Sequence, residues 1–272
     1  MSWIALRITP ASNREGVIAA LFEAGSQGVQ EDGASVVTHF PGDAPIDAIR
    51  RALYHADPAA DISVADAPDV DYSQWKASVT AHTVGDLVIA PPWLAEDTDR
   101  RRTIIVDPAM AFGTGEHPST RGVMRLMQGV VRAGDVVADL GAGSAVLSIA
   151  AVKLGATRVA AIEIDRDAIG NAEENVATNE VDHRVEVIEG DAATLLPLLA
   201  PVRLVLANII SSVLIPLLPT IRASLAPGGQ AILAGILCEE REAMVAAIHA
   251  DGWMIEREDT EDVWWSVQIA PR

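Results

Sequence analysis

An apolar strand that runs straight into a glycine turn and then into a helix constrains the fold of this chain more than any other feature. The segment covers residues 137–145 and reads VADLGAGSA. Because Gly141 and Gly143 carry no side chain, the backbone of such a turn can come close to a ligand. The first N–H groups of the following helix then point toward that ligand. A Rossmann-like α/β fold with its ligand at this turn is therefore predicted.

The next strand ends in an acidic residue where this fold expects one. The apolar run 159–162 leads to Glu163, about as far along the chain as the ribose-binding carboxylate of a Rossmann-type fold. A carboxylate there can accept hydrogen bonds from ribose hydroxyls, so the two signals together indicate a nucleoside-containing ligand. A solvated acid at a strand end is the alternative interpretation, and Asp165 is the alternative carboxylate if the register differs.

The composition sets limits on the class of protein. With 272 residues, 50% of them hydrophobic, the chain can bury the core of one large and one small domain. The net charge of −18 argues against direct nucleic-acid binding, and suits either a cationic partner or simple solubility. The single Cys238 and an N-terminus without a signal peptide predict the cytoplasm. Pro216 and Pro219 interrupt the apolar run 204–221, which favours a buried strand and helix over a membrane span.

Residues 1–65 have the pattern of a small α+β domain. The order β-α-β-β-α-β is typical of a ferredoxin-like fold, and we interpret the domain as a substrate-recognition module, with a purely structural role as the alternative. Ser12 is expected to cap the first helix, and Asp32-Gly33 is a hairpin signal. Strands are predicted at 4–9, 29–31, 34–39 and 62–65, with helices at 12–24 and 46–55.

Residues 66–102 are predicted to be a connector between two domains. A short helix at 69–76 and a strand at 84–90 are expected within it. The basic run 100–102 is most simply a solvated loop, and a contact for an acidic partner is the other interpretation.

From Thr103 onward strands and helices alternate, which predicts a parallel sheet with helices on both faces. Too few residues separate the last two strands for a crossover helix, so these strands should be antiparallel. A seven-stranded sheet with a terminal antiparallel hairpin resembles that of the class I S-adenosylmethionine-dependent methyltransferases. After an entry strand at 104–106 and a helix at 120–127, the predicted strands are 136–140, 158–163, 184–188, 203–207, 230–235, 252–256 and 263–269.

The glycine turn suits such a cofactor better than a dinucleotide. A dinucleotide fingerprint needs a small residue where this chain has Val146. S-adenosylmethionine has no pyrophosphate, so Gly141 and Gly143 need only admit its amino-acid end and sulfonium. Asp191, after the third strand, is placed to reach the adenine amino group, with a helix cap as the equal alternative.

Asn208, at the end of the fourth strand, is the first candidate catalytic residue. Its side-chain carbonyl can hold the lone pair of a nucleophilic nitrogen toward the methyl group. Because Ile209 and Ile210 follow, with no aromatic side chain to stack a base, an aliphatic amine is favoured over a nucleobase. A helix cap is again the alternative.

A loop at 107–120, rich in proline, glycine and hydroxyl residues, leads into a helix and could cover the ligand crevice. Thr120 is placed to meet the cofactor. Phe112, the second candidate catalytic residue, could form a wall of an amine channel. His117 could accept a proton, but a structural role in the loop is preferred.

Three motifs resemble those of the PrmA-type ribosomal protein L11 methyltransferases. They are D-P-x-x-A-F-G-T-G-x-H-P-x-T at 107–120, I-E-I-D at 162–165 and A-N-I-I at 207–210. The resemblance covers the whole chain. It implies a ferredoxin-like substrate-recognition domain joined by a flexible linker to a class I methyltransferase domain at 103–272.

The resemblance also implies cofactor contacts at Thr120, Gly141, Glu163 and Asn208. Two positions depart from the pattern of the family. Glu163 stands where aspartate is usual, a longer carboxylate that should still reach the ribose. Ala145 stands where glycine is usual, which adds a methyl group near the cofactor.

The predicted function is that of a cytoplasmic, monomeric protein N-methyltransferase that uses S-adenosylmethionine and no metal ion. Lysine or N-terminal amines of ribosomal protein L11 are the expected acceptors, without direct contact to nucleic acid or membrane. The same chemistry on another protein or on a small amine is the first alternative. A non-catalytic nucleoside-binding assembly protein is an alternative of another class.

Overall fold

The computed structural model describes residues 3–26, 29–42, 44–66, 80–96, 98–106 and 115–272. The chain forms two compact units, residues 1–78 and 79–272, each with sheets of its own. In the part of the chain that the structure describes, no helix combines the length and the apolar character needed to cross a membrane.

The first unit has one antiparallel sheet with strand order β2-β3-β1-β4. The order of its elements is the one predicted, and Leu6, Ile8, Leu21 and Leu53 are fully buried in its core. The elements are β1 (Trp3–Thr9), α1 (Arg14–Glu23), β2 (Gln30–Asp32), β3 (Ser35–Pro41), α2 (Ile46–Ala56) and β4 (Asp61–Asp66).

The first helix is capped by Asn13 and not by Ser12. The Asn13 side chain accepts the Gly16 N–H, whereas the backbone N–H of Ser12 donates to Asp57. The Asp57 carboxylate also accepts the N–H groups of Ala11 and Asn13, at 2.8 and 3.0 Å. These donors hold the pKa of Asp57 down, at about 2. One buried carboxylate thus ties the end of α2 to the start of α1.

Part of the predicted connector is a small sheet within the second unit. The sheet consists of β5 (His82–Val84), β6 (Leu87–Ala90) and β7 (Thr103–Ile105). The single strand predicted at 84–90 is wrong, because the chain reverses at Gly85, which has a positive φ of +60°. The helix predicted at 69–76 lies outside the described residues.

The large sheet of the second unit has the order β10-β9-β8-β11-β12-β14-β13. The first five strands are parallel, and β14 is antiparallel to both its neighbours, which confirms the predicted terminal hairpin. The strands are β8 (Val136–Leu140), β9 (Arg158–Glu163), β10 (Val185–Glu189), β11 (Val202–Asn208), β12 (Leu225–Leu237), β13 (Trp253–Glu261) and β14 (Trp264–Pro271).

Helices cover both faces of this sheet, as predicted. Successive residues of β11 point to opposite faces, so that Leu206 belongs to one apolar cluster and Ala207 to the other. The helices within residues 118–178 contribute to the first cluster, and those within residues 192–250 contribute to the second. The helices are α3 (Pro118–Met127), α4 (Val146–Lys153), α5 (Arg166–Thr178), α6 (Ala192–Leu199), α7 (Ser211–Ser224) and α8 (Arg241–Ala250).

Ion pairs fix α3 to β13. Arg125 donates two hydrogen bonds to the Asp259 carboxylate, at 2.5 and 2.8 Å, and Arg121 pairs with Glu261. These carboxylates raise the pKa of Arg125 above its usual value. A Cβ atom at Gly122 would lie only 2.4 Å from Ser266 Oγ, so the helix can pack this closely because glycine is there.

Candidate functional site

A cleft of about 590 Å³ opens at the carboxyl ends of β8, β9 and β11. Ligands of open α/β sheets bind at this edge, because the turns after the strands meet there. Four residues that the sequence assigned to the cofactor line the same cleft. The lining residues are Gly141, Gly143, Glu163, Ile164, Asp165, Asp167, Ala168, Asn208, Ile209, Ile210 and Val213.

The glycine turn requires its glycines. Gly141 and Gly143 have positive φ angles of +67° and +52°, a conformation that other residues rarely adopt. A Cβ atom at Gly141 would lie 2.5 Å from Cγ2 of Ile209, which also lines the cleft. Any side chain at Gly141 would therefore displace Ile209 and change the shape of the site.

Glu163 holds the turn through its carboxylate. Its Oε2 accepts the N–H of Gly143 and its Oε1 accepts the N–H of Asp165, each at 2.8 Å. Each carboxylate oxygen has a further lone pair, so the group can still accept hydrogen bonds from a diol. Asp165 instead caps α5 by accepting the Asp167 N–H. This arrangement favours Glu163 over Asp165 as the ribose-binding carboxylate.

Asp139, one residue before the end of β8, is a buried carboxyl group. It accepts a hydrogen bond of 2.7 Å from the Ser148 hydroxyl of α4, while its Oδ1 has no hydrogen-bond partner among the described residues. Burial raises the pKa of Asp139 to about 6. Asp139 lies two residues before Gly141, so protonation of its carboxylate removes a negative charge next to the glycine turn.

Asn208 and Thr120 are brought together from residues far apart in the chain. The Asn208 Nδ2 donates to the Thr120 Oγ1 at 3.1 Å, which joins the end of β11 to the first turn of α3. Helix α7 begins after Ile210, so Asn208 is not its cap. Helix capping therefore does not explain why Asn208 lies in the cleft.

His117 has a structural role at the start of α3. The backbone N–H of Ser119 donates to its Nδ1, which makes Nδ1 the acceptor and leaves the proton on Nε2. The ring packs edge-on against Trp264, with centroids 4.6 Å apart. Burial and the nearby Arg121 lower the pKa of His117, so the ring is neutral near pH 7.

Three predicted site residues are not placed in the cleft, and the first of them, Thr120, is buried and contacts the described lining through its hydrogen bond with Asn208. The Asp191 carboxylate accepts hydrogen bonds from the Ala193 N–H and the Thr194 hydroxyl, each at 3.1 Å, and caps α6. Asp191 is absent from the described lining of the cleft, which favours the capping interpretation. Phe112 lies outside the described residues.

An apolar wall of the cleft is a feature that the sequence analysis missed. Ile164, Ile210 and Val213 line the cleft and are 71%, 61% and 45% exposed. Large apolar side chains left exposed beside a cleft mark a surface that a ligand covers. Ile164 directly follows Glu163, the carboxylate at the end of β9. An apolar residue at this position is the sequence signal that could have indicated the apolar wall.

Ala145 has the backbone conformation of a glycine. Its φ of +61° places it in the left-handed region immediately before α4. The departure from the usual glycine of the family therefore falls on a position where a Cβ atom costs energy.

Comparisons with known proteins identify the family of this chain. The family model for ribosomal protein L11 methyltransferase (PrmA) matches residues 2–271. A relative from Lacticaseibacillus paracasei, named ribosomal protein L11 methyltransferase, is 34% identical over 78% of this chain and 68% of its own length. A relative of the same name from Heliobacterium modesticaldum is 40% identical over 71% of this chain and 61% of its own length.

Among solved structures, a ribosomal protein L11 methylase from Lactobacillus delbrueckii subsp. bulgaricus is similar, with a TM-score of 0.63 and 28% sequence identity. The match covers 71% of this chain and 100% of that one. The predicted class I methyltransferase fold is thereby confirmed, as is S-adenosylmethionine as the cofactor that goes with this family. The chain belongs to the ribosomal protein L11 methyltransferase family.

Proposed function

We propose that this protein transfers the methyl group of S-adenosylmethionine to amine nitrogens of ribosomal protein L11, on lysine side chains or at the N-terminus. The observation that carries the proposal is that Gly141, Gly143, Glu163 and Asn208 line one cleft. The names of the relatives supply the substrate.

The residues of the cleft fit this cofactor. The side-chain-free turn at Gly141 and Gly143 leaves room for a ligand against the backbone, and Glu163 offers acceptors for a ribose. The exposed Ile164 and Val213 offer an apolar surface for a flat base. When bound, S-adenosylmethionine supplies an electrophilic methyl group on a sulfonium centre.

The protein's own residues then position the acceptor. An amine with an ordinary pKa of about 10.4 must lose its proton before it can attack. An apolar channel disfavours the charged form and lowers this pKa, so no residue is proposed as an obligate base. Asn208 orients the neutral nitrogen, and Phe112 is proposed to form a wall of the channel. Catalysis therefore rests mainly on proximity and orientation.

We assign a separate role to each segment of the chain. Residues 1–65 recognise the protein substrate, the part of residues 66–102 that precedes the small sheet links the domains, and residues 103–272 carry the cofactor site. The net charge of −18 favours encounter with a cationic protein. We propose further that the protein acts in the cytoplasm as a monomer, without direct contact to nucleic acid or membrane.

The test is methyl transfer by the intact protein. Purified protein, methyl-labelled S-adenosylmethionine and unmethylated ribosomal protein L11 are incubated, and labelled positions are mapped by mass spectrometry. We expect label on lysine or N-terminal amines of L11. A panel of small amines is the control, and label on these amines with none on L11 would contradict the proposed substrate.

A further inference from the structure

A basic pocket lies in this otherwise acidic protein, at the edge of the large sheet opposite to the cleft. It has a volume of about 380 Å³ and lies where α4 and α5 end, next to the turn that leads into β7. Its lining includes the cationic side chains of Arg100, Arg101, Lys153 and Arg184 and the carboxylate of Glu180. Four positive charges thus meet one negative charge in the described lining, although the chain has a net charge of −18.

Lys153 and Arg100 are held close together although both are cations. Nζ of Lys153 donates a hydrogen bond of 2.7 Å to the backbone carbonyl oxygen of Arg100. Lys153 is half-buried, and burial together with the Arg100 guanidinium lowers the pKa of its ammonium group. The ammonium has two further N–H donors that this bond does not use. An anion in the pocket would offset the repulsion between these like charges and accept such donors.

The carboxylates beside the pocket neutralise its cations only weakly. Glu180 lies 3.8 Å from the Arg100 guanidinium and its side chain is 82% exposed, so this ion pair contributes little. The Asp99 carboxylate accepts the backbone N–H of Arg101 at 3.0 Å. In the part of the chain that the structure describes, neither Arg101 nor Arg184 forms an ion pair. Their guanidinium groups are therefore available to a ligand.

A second pocket adjoins the first but is electrically balanced. It has a volume of about 470 Å³, lies where β9 and β10 begin, and shares His183 and Arg184 with the basic pocket. Arg158 in this second pocket pairs with Glu186 at 2.7 Å, and Asp182 adds another negative charge. The excess of positive charge is thus confined to the basic pocket.

From these observations we infer that the basic pocket binds a compact phosphate-bearing anion, of which pyrophosphate is the simplest form. Guanidinium groups bind phosphate oxygens through paired N–H donors, and an ammonium adds a point charge. A compact anion is favoured over a nucleic acid, because a long polyanion would extend from this small pocket onto a surface that is acidic overall. The pocket is separate from the methyl-transfer cleft, so the inference does not rest on the proposed function.

A purely structural role for these cations would leave a different signature. Helices α4 and α5 end at the pocket, and cations stabilise the carbonyl ends of helices. If that were their whole role, loss of a cation would lower the melting temperature, and pyrophosphate would not bind. Arg101 and Arg184 belong to neither helix and are exposed, so substitutions there test ligand binding with little effect on folding.

The experiment is calorimetric titration of the full-length protein with inorganic pyrophosphate at constant ionic strength. We expect one pyrophosphate to bind per chain. Arg184→Gln and Arg101→Gln each remove one guanidinium and should raise the Kd about tenfold, as expected for losing a charge-assisted hydrogen bond. Glu180→Gln, which removes the carboxylate, should lower the Kd about threefold. Arg51→Gln removes an exposed guanidinium from the first unit and should change the Kd less than about twofold.

Opposite changes in Arg184→Gln and Glu180→Gln, with an unchanged Kd for S-adenosylmethionine, would support the inference. Absence of pyrophosphate binding, or a Kd that is the same in Arg184→Gln, Arg101→Gln and Arg51→Gln, would overturn it. A single-stranded RNA oligonucleotide that binds more tightly than pyrophosphate and depends on Arg184 would also overturn it, because the ligand would then be a nucleic acid. ATP is titrated in parallel: tighter binding than pyrophosphate would support a nucleotide as the ligand, and equal binding would support a free polyphosphate.

Discussion

Two carboxylates, Asp57 in the first unit and Glu163 in the second, use the same chemistry for different ends. Each accepts hydrogen bonds from backbone N–H groups of a turn that is distant in sequence. Asp57 is completely buried, and its donors close a structural connection between two helices. Glu163 faces a cleft with Gly141 and Asn208 beside it. Accepting hydrogen bonds from backbone N–H groups therefore does not show that a carboxylate is functional. A position in a cleft, beside other polar groups that point into it, is the better indication.

The largest effect is expected from Glu163→Ala. This change removes the acceptor of the Gly143 N–H and the proposed ribose partner, so the Kd for S-adenosylmethionine should rise about 100-fold, equivalent to losing two charge-assisted hydrogen bonds. Calorimetric titration measures the change. Asp165→Asn is the matched control in the same cleft, since it keeps an acceptor for the α5 cap. An unchanged Kd for Glu163→Ala would show that Glu163, like Asp57, has only a structural role.

Asn208→Ala should separate turnover from binding. The amide is proposed to orient the acceptor nitrogen, so kcat on L11 should fall about 100-fold while the Kd for S-adenosylmethionine changes less than about tenfold. Thr120→Val, which removes the hydroxyl that Asn208 contacts, should give an intermediate loss of kcat. Full turnover with unchanged cofactor affinity in Asn208→Ala would show that it does not position the amine.

Asp57→Ala should affect stability and not binding. The melting temperature should fall by several degrees, because four backbone N–H groups lose their acceptor, while the Kd for S-adenosylmethionine stays the same. Asp57→Asn, which retains one acceptor oxygen, should lose less. A weakened Kd in Asp57→Ala would contradict the separation of roles.

The lowered pKa of Asp57 also predicts how the stability of the protein depends on pH. The pKa of Asp57 is lowered from 3.8 to about 2 in the folded protein, so its stabilising contribution is present above pH 3.8 and is lost as the pH falls toward 2. Acid unfolding followed by circular dichroism should show a shallower loss of stability between these values in Asp57→Ala. A slope identical to that of the unsubstituted protein would contradict this assignment.

The smallest effect is expected from Ala145→Gly. Relief of the left-handed conformation, worth about 1 kcal/mol, is offset by loss of a buried methyl group, worth about 0.8 kcal/mol. The free energy of unfolding should change by less than about 1 kcal/mol in a urea titration. Ala142→Gly is the control, because Ala142 is also buried but has no positive φ, so this substitution removes a methyl group and loosens the unfolded chain without relieving strain. A larger loss in Ala145→Gly than in Ala142→Gly would contradict the strain at Ala145.

The alternation of strands and helices, the terminal hairpin and most of the cleft could be predicted because they depend on local patterns. A glycine turn after an apolar strand, and an acid after the next strand, fall at the same sheet edge whatever the helices do. Asn208 was found in the same way, from its position after the fourth strand. The cap on α6 at Asp191 could not be decided, because a carboxylate before a helix suits both interpretations equally.

The remaining features depend on contacts between distant residues. Asp57 looks like an ordinary solvated side chain in the sequence, and only its hydrogen-bond partners reveal its role. The strand predicted at 84–90 was wrong because an apolar run was given more weight than the turn signal at Gly85. At this position the preference of glycine for turns indicated the correct structure, whereas the apolar run wrongly indicated one continuous strand.

A crystal structure with bound S-adenosylmethionine tests the assignment of the cleft most directly. We expect the ribose hydroxyls within about 3 Å of the Glu163 carboxylate, and the amino-acid end against the turn at Gly141 and Gly143. The methyl group should point toward Asn208. A nucleoside bound elsewhere, with Glu163 contacting only Gly143 and Asp165, would contradict the assignment.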